Sequence, residues 1–206
     1  MKSNYKFYRF CYRLARVVIG IFFWIEVKGK ENIPEGAAMV CSNHSSLIDP
    51  LFVAFAFGID SFIHFIAKVE LFRVPILSAV ISGLGAISVD RGILDVKTIK
   101  RTLGYFKNGE KVAIFPEGTR ASEDDYIAAK SGAVKLAEHA GVPIVPVYIP
   151  RKKLLFRKMP LVIGMPYSIE KPRVKRTPGE YSSLADVLMG KIKSLNPLAQ
   201  KVRYSV

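Results

Sequence analysis

Cysteine is scarce in this chain. Cys11 and Cys41 stand far apart among 206 residues and lack the spacing of a metal site or of a disulfide framework, so no metal is expected and a reducing compartment is the default. Acidic residues are also short: 17 Asp and Glu face 31 Lys and Arg, a formal net charge of +14. The expected partner surface is therefore negative, whether nucleic acid, anionic lipid or a phosphorylated small molecule. No membrane-spanning run is evident at the amino end, since a span takes roughly 20 apolar residues and the run Val17 to Ile25 stops at Glu26. No small-residue cleavage site follows that run, which argues against a secretory signal peptide. Internal repeats and dividing linkers are missing too. With 50% hydrophobic and 11% aromatic residues, the chain can still bury a sizeable core as one domain, or as one domain with a small appendage.

The amino end is where positive charge and aromatics coincide. Lys2, Lys6, Arg9, Arg13 and Arg16 alternate with Tyr5, Phe7, Tyr8, Phe10, Tyr12 and Leu14. This predicts a basic, aromatic helix over residues 1–26 lying in a membrane interface, with Phe22, Phe23 and Trp24 at the acyl boundary. An ordinary core helix decorated with basic residues has the same pattern. A second basic stretch, "RKKLLFRK" at 151–158, reads either as a solvated face or as a lipid-facing surface shared with the amino end.

From residue 27 to 206 the pattern is that of an α/β domain: a mostly parallel central sheet flanked by helices. "AAMVCS", "FIHFIAK", "GAISVD", "KVAIFP", "VPIVPVYI" and "LVIGMP" read as strands, several without polar alternation and hence covered on both faces. Between them, "DVKTIKRTLGYFKNG" sets Val96, Ile99, Leu103 and Phe106 at helical spacing and ends at Gly109. "SGAVKLAEHAG" does the same for Ala133, Leu136, Ala137 and Ala140, with Ser131 as a cap and Gly141 as a terminator. A last helix is expected around Leu184 to Leu195. Alternation of strand and helix implies the parallel sheet.

Four stretches carry chemistry. In "NHSSLIDP", His44 and Asp49 are five residues apart, about 140° around a helix, so they meet only if the chain turns between them. Pro50 suits the first turn of a helix starting there. By itself this is weak, because a strand-end histidine followed by a capping aspartate has the same form. "AISVDRG" then brings Arg91 to a strand end, and "FPEGTR" brings Glu117, Gly118, Thr119 and Arg120 to another. Strand ends line the ligand crevice of open α/β sheets. Guanidinium groups and turn amides are suited to gripping a phosphate there. Each arginine alone is as readily a surface ion pair, Arg91 with Asp90 or Arg120 with Glu117. The fourth stretch is "GVPIVPVY" at 141–148.

In this order and spacing the four stretches resemble the sequence blocks of the glycerolipid acyltransferase family, which includes the 1-acylglycerol-3-phosphate acyltransferases. The resemblance runs from about Val27, in the lead-in "VKGKENIP", to about Tyr148. "IAKVEL" is similar to a further family feature and adds Lys68. What the resemblance implies is an O-acyltransferase with His44 as general base and Asp49 orienting its imidazole. The acceptor hydroxyl attacks an acyl thioester, acyl-coenzyme A or acyl carrier protein serving as cosubstrate with no other cofactor. Lys68, Arg91, Gly118, Thr119 and Arg120 would hold the acceptor phosphate, and Glu117 would position the substrate. Such an enzyme needs no covalent acyl intermediate, and the chain has no G-x-S-x-G nucleophile elbow. The implied partners are lysophosphatidic acid, the acyl thioester and an anionic membrane surface at the cytoplasmic face of the cell membrane. Glycerol 3-phosphate or another lysophospholipid remains an alternative acceptor.

The pattern departs from the family where Ala121 follows "FPEGTR" in place of the usual serine, and where "AAKSGA" supplies Ala129, Lys130 and Gly132 in place of a phenylalanine and lysine before the glycine. Acyl-chain preference is open there. A non-catalytic lipid- or nucleic-acid-binding protein is the competing reading invited by the charge, but the basic residues form no recognised nucleic-acid module. No nucleic-acid partner is expected.

Overall fold

The computed structural model describes residues 5–90, 95–120 and 128–197. Its strands are β1 Phe23–Lys28, β2 Ala38–Ser42, β3 Ile63–Lys68, β4 Ile87–Val89, β5 Lys111–Ile114, β6 Ile144–Tyr148 and β7 Arg157–Ile163. They form one sheet in the order β1-β7-β6-β2-β5-β3-β4. The neighbours from β6 to β4 pair in parallel, whereas β7 is antiparallel to β6 and carries β1 parallel to itself. The six expected strand segments correspond to β2 through β7, and the mostly parallel sheet is as the alternation implies.

Helices cover both faces: α1 Tyr5–Phe22, α2 Asp49–Phe57, α3 Pro75–Gly83, α4 Val96–Lys107, α5 Gly132–Ala140 and α6 Pro178–Ser194. β2 shows how one strand serves two layers, since all five of its residues are buried. Ala38 and Val40 pack with α2 and partly buried residues of α1, while Met39 and Cys41 pack with α4, α5 and α6. A strand covered on both sides has no reason to alternate polar and apolar residues.

The structure differs locally from the sequence reading at α3, α4, α5 and α6. On α4, Val96 is exposed while Thr98, Thr102, Tyr105 and Phe106 are buried. Threonine enters that face because Thr98 Oγ1 donates to Ser88 O at 2.8 Å. Ser131 makes no side-chain cap for α5, although Gly141 closes it in the left-handed conformation. α6 starts at Pro178, well before Leu184, because Thr177 and Glu180 form a reciprocal capping box ahead of it. α3, with Pro75 in its first turn, was not anticipated.

The amino end requires the main correction. α1 stops at Phe22, and residues 23–26, which the sequence groups with the helix, are the first part of β1. Pairing of β1 with β7 imposes the period of two. Phe23 therefore turns inward, 6% exposed and edge-on to Phe52 at 5.5 Å, while Trp24 turns outward at 60% exposure. The interfacial trio Phe22, Phe23 and Trp24 thus loses its middle member to the core.

α1 has two apolar faces. One docks: Tyr8 Oη donates to Ser61 O at 3.1 Å, the Tyr5 and Tyr8 rings pack on Phe62 at 4.9 and 4.4 Å, and Tyr12 meets Phe55 edge-on. The other leaves Phe10, Leu14, Val17 and Ile21 in the open. Among the described residues no helix is long and apolar enough to cross a membrane.

Phe23→Ala is expected to lower unfolding free energy by about 3–5 kcal/mol, the cost of emptying an aromatic core site, and Trp24→Ala by less than about 0.5 kcal/mol. Chemical denaturation of the two variants measures the contrast.

Candidate active site

The connection after β2 and the connection after β5 leave these neighbouring strands toward opposite layers, α2 with one core cluster and α5 with the other. Such a switch point opens a crevice at the carboxyl ends of the strands. His44 follows β2 at this edge, the 115–120 turn follows β5, and Lys68 ends β3.

The turn between His44 and Asp49 forms because the aspartate side chain fills it. Asp49 Oδ2 accepts from the backbone N–H groups of Ser45 at 2.6 Å and Ser46 at 2.7 Å, and it lies 2.9 Å from His44 Nδ1. Asp49 opens α2, with Pro50 beside it in the first turn. Its carboxylate is fully buried, and Lys153 Nζ meets Oδ1 at 2.7 Å. Burial pushes the Asp49 carboxyl up, but His44, Lys153 and the Ser45 amide outweigh it and hold it below its ordinary value.

The His44 ring is stacked on Phe115 with centroids 4.2 Å apart, and Phe115 in turn stacks toward Phe65 of β3. With its side chain 17% exposed, the imidazole is held by Asp49 at Nδ1. A neutral ring that donates from Nδ1 to this carboxylate keeps its lone pair on Nε2.

Glu117 is 3% exposed. Its Oε2 accepts from the His44 backbone N–H at 2.8 Å, and its Oε1 pairs with Arg151, whose Nη1 donates to His44 O at 3.2 Å. Glu117 thereby acts on the site through the backbone of His44, and its ionic partner is Arg151, not Arg120. Asn43 ties the same strand end to β6: Nδ2 donates to Ile149 O at 2.7 Å and Oδ1 accepts from Ile149 N at 2.9 Å.

Lys68, Thr119 and Arg120 are exposed along this edge. Gly118 has φ 66°, a conformation that favours glycine, and a Cβ there would meet the flexible end of Lys130 at 2.7 Å. Lys130 therefore overlies the same turn. Arg91, with Gly92, lies outside the described residues, as does Ala121.

Arg151 and Lys153 escaped the sequence reading, which took the basic stretch 151–158 as a surface. Their signal was positional: they follow β6 at the same edge as the other site residues, and alternation turns Arg151 and Lys153 inward while Lys152 is exposed.

A family model described as Acyltransferase matches residues 24–150. The chain belongs to the acyltransferase family. Across 166 residues this acyltransferase is 35% identical to the 1-acyl-sn-glycerol-3-phosphate acyltransferase of Bacillus subtilis strain 168, covering 77% of this chain and 81% of that one. It is 35% identical over 142 residues to the 1-acyl-sn-glycerol-3-phosphate acyltransferase of Pseudomonas aeruginosa, covering 68% of this chain and 53% of the relative. Among solved structures, the 1-acyl-sn-glycerophosphate (LPA) acyltransferase PlsC from Thermotoga maritima matches with a TM-score of 0.62 at 26% identity. That match covers 95% of this chain and 80% of the other. The matched family region contains all four sequence blocks and ends just before Arg151.

Because the folded pKa of Asp49 is depressed, its stabilisation is complete above the ordinary carboxylate range and is lost as pH falls through the lowered value. The stability advantage of the wild type over Asp49→Asn should accordingly be full at neutral pH and shrink below about pH 4. Thermal unfolding of both proteins across pH checks the sign.

Proposed function

We propose that this enzyme transfers an acyl group from an acyl thioester to the free hydroxyl of 1-acylglycerol-3-phosphate, forming phosphatidic acid for phospholipid biosynthesis. The observation that carries the reading is the His44–Asp49 pair held at the strand edge that also bears Lys68 and Arg120. The names of the relatives supply the acceptor.

In this reading His44 Nε2 takes the proton of the acceptor hydroxyl as its oxygen attacks the thioester carbonyl. Asp49 keeps the ring in the tautomer that can do so and stabilises the imidazolium. The tetrahedral intermediate collapses with loss of the thiolate, and the proton held by His44 passes to the sulfur. The products are the new ester and a free thiol, of coenzyme A or of acyl carrier protein. Lys68 and Arg120, with the Gly118 and Thr119 amides, hold the acceptor phosphate, and Arg91 completes that set by its position in the sequence. A guanidinium suits a phosphomonoester.

We further propose that α1 and the segment after Lys153 form a peripheral membrane surface. The support is chemical: α1 exposes Phe10, Leu14, Val17 and Ile21, β1 exposes Trp24, and Leu154, Leu155 and Phe156 are exposed beside them. Phe156 N–H donates to Phe22 O at 2.6 Å, which brings the two apolar stretches together. Exposed Arg13, Lys152, Arg157 and Lys158 flank them. Such a surface suits an anionic leaflet, as at the cytoplasmic face.

His44→Ala should reduce acyl transfer to 1-acylglycerol-3-phosphate by about 10²–10⁴-fold. Undiminished turnover would remove His44 from the mechanism, and equal use of a choline-bearing lysolipid would remove the phosphomonoester pocket. For the membrane surface, replacing Phe10 and Ile21 together by serine should abolish cosedimentation with phosphatidylglycerol vesicles while leaving the thermal transition within a few degrees. Retained binding would refute it.

A further inference from the structure

The pair His44 and Asp49 has a third charged group built into it. We propose that Lys153 is a positioning residue of the pair: its ammonium fixes the Asp49 carboxylate and, through it, sets the orientation and proton affinity of the His44 imidazole. The activity arm of this inference rests on the acyl-transfer reading above, and the titration arm does not.

The geometry separates Lys153 from the lysines that face substrate. Its Nζ lies 2.7 Å from Asp49 Oδ1, 2.5 Å from Ser45 Oγ and 3.4 Å from Arg151 O. An ammonium has three N–H groups, and these three contacts use them inside the protein. No donor is left to grip an acceptor phosphate. The side chain is 11% exposed, against a carboxylate partner that is fully buried. Lys68 and Lys130, by contrast, are exposed.

The chemistry requires such a cation. All three hydrogen-bond donors on Oδ2 come from the turn itself, namely His44 Nδ1 and the amides of Ser45 and Ser46. Oδ1 faces Lys153, and a buried carboxylate oxygen without a partner is costly. The ammonium anchors that oxygen, which fixes the plane of the carboxylate and keeps Oδ2 facing His44 Nδ1.

The field at the imidazole has a definite sign. Asp49 faces the ring and favours its protonated form; Lys153 on the far oxygen of that carboxylate opposes it. Among the described residues, the other charged groups bonded to His44 are Glu117, on its backbone N–H, and Arg151, on its carbonyl, and these two pair with each other. Phe115, stacked on the ring, is uncharged. Removing Lys153 alone therefore makes His44 easier to protonate and Asp49 less firmly ionised. Both effects move the acidic limb of the pH–rate profile to higher pH. The Lys153 ammonium itself is held down by burial, with Asp49 offsetting part of that effect.

The test compares the wild type with Lys153→Met, Lys153→Gln and Lys153→Arg in the full chain. Kinetics use 1-acylglycerol-3-phosphate and an acyl-coenzyme A, and imidazole titration is followed by nitrogen NMR without substrate. The chain has three histidines, so His44→Asn assigns the signal. The Met and Gln variants should lose roughly 10–100-fold in kcat, with KM for the acceptor within about twofold. Their acidic limb and their His44 titration should both move to higher pH, and Arg should restore most of the loss because it keeps the charge. An unchanged His44 titration would overturn the proposal, and so would a loss confined to acceptor KM, which would make Lys153 a phosphate ligand. Should the Met variant fail to fold, the Gln variant, which keeps polar contacts without charge, gives the same readouts. If the wild type transfers no acyl group, the titration still decides the role of Lys153, so the two readings fail separately.

Discussion

A carboxylate without solvent access sits beside the crevice at the strand ends, and much of the structure around it answers its demand for partners. An ionised aspartate stripped of water is unfavourable unless hydrogen bonds and a counter-charge replace the lost solvation. At Asp49 the two amides of the turn, the His44 ring and Lys153 do so together. Those contacts curl residues 44 to 49 into a fixed turn, start α2 at its far end and leave one ring nitrogen of His44 free. The geometry of the pair is thus a consequence of satisfying the charge.

The turn is held to the sheet by two cross-links of different kind. Asn43 uses both ends of its amide on the backbone at Ile149 and joins the ends of β2 and β6. Glu117 and Arg151 bracket the His44 backbone from the ends of β5 and β6. Three neighbouring strand ends therefore converge on one residue. Because they are parallel strands with crossovers to opposite layers, the convergence falls at the crevice where a ligand can enter. The same edge carries the exposed cations, so the pair and a phosphate-binding surface are neighbours by topology.

The amino-terminal helix shows a second constraint, that of serving two apolar environments. Its tyrosines bind the domain through ring packing and one backbone contact, while the opposite face is left apolar and open. A helix placed only for stability would turn polar residues outward. Where the chain passes from helix to strand at Phe23, the periodicity changes from 3.6 to 2, and neighbouring aromatics part company: Phe23 to the core, Trp24 to the surface.

Sequence alone determined a good deal here: the α/β class, six of the seven strands, the helices around α4 and α5, and the need for a bend between His44 and Asp49. These follow from periodicity, from glycine and proline punctuation and from local spacing, which are properties of neighbouring residues. Its similarity to known blocks supplied the family. β1 stayed hidden because its strand character comes from pairing with β7, some 134 residues away, while locally it continues an apolar run. Thr98 was no part of the apolar spacing that marked α4, because the Ser88 carbonyl that receives its hydroxyl is known only once β4 lies beneath α4. Arg151 and Lys153 were indistinguishable from Lys152 by composition. Only the tertiary structure decided which cations turn inward, because that choice depends on buried carboxylates brought close from elsewhere in the chain.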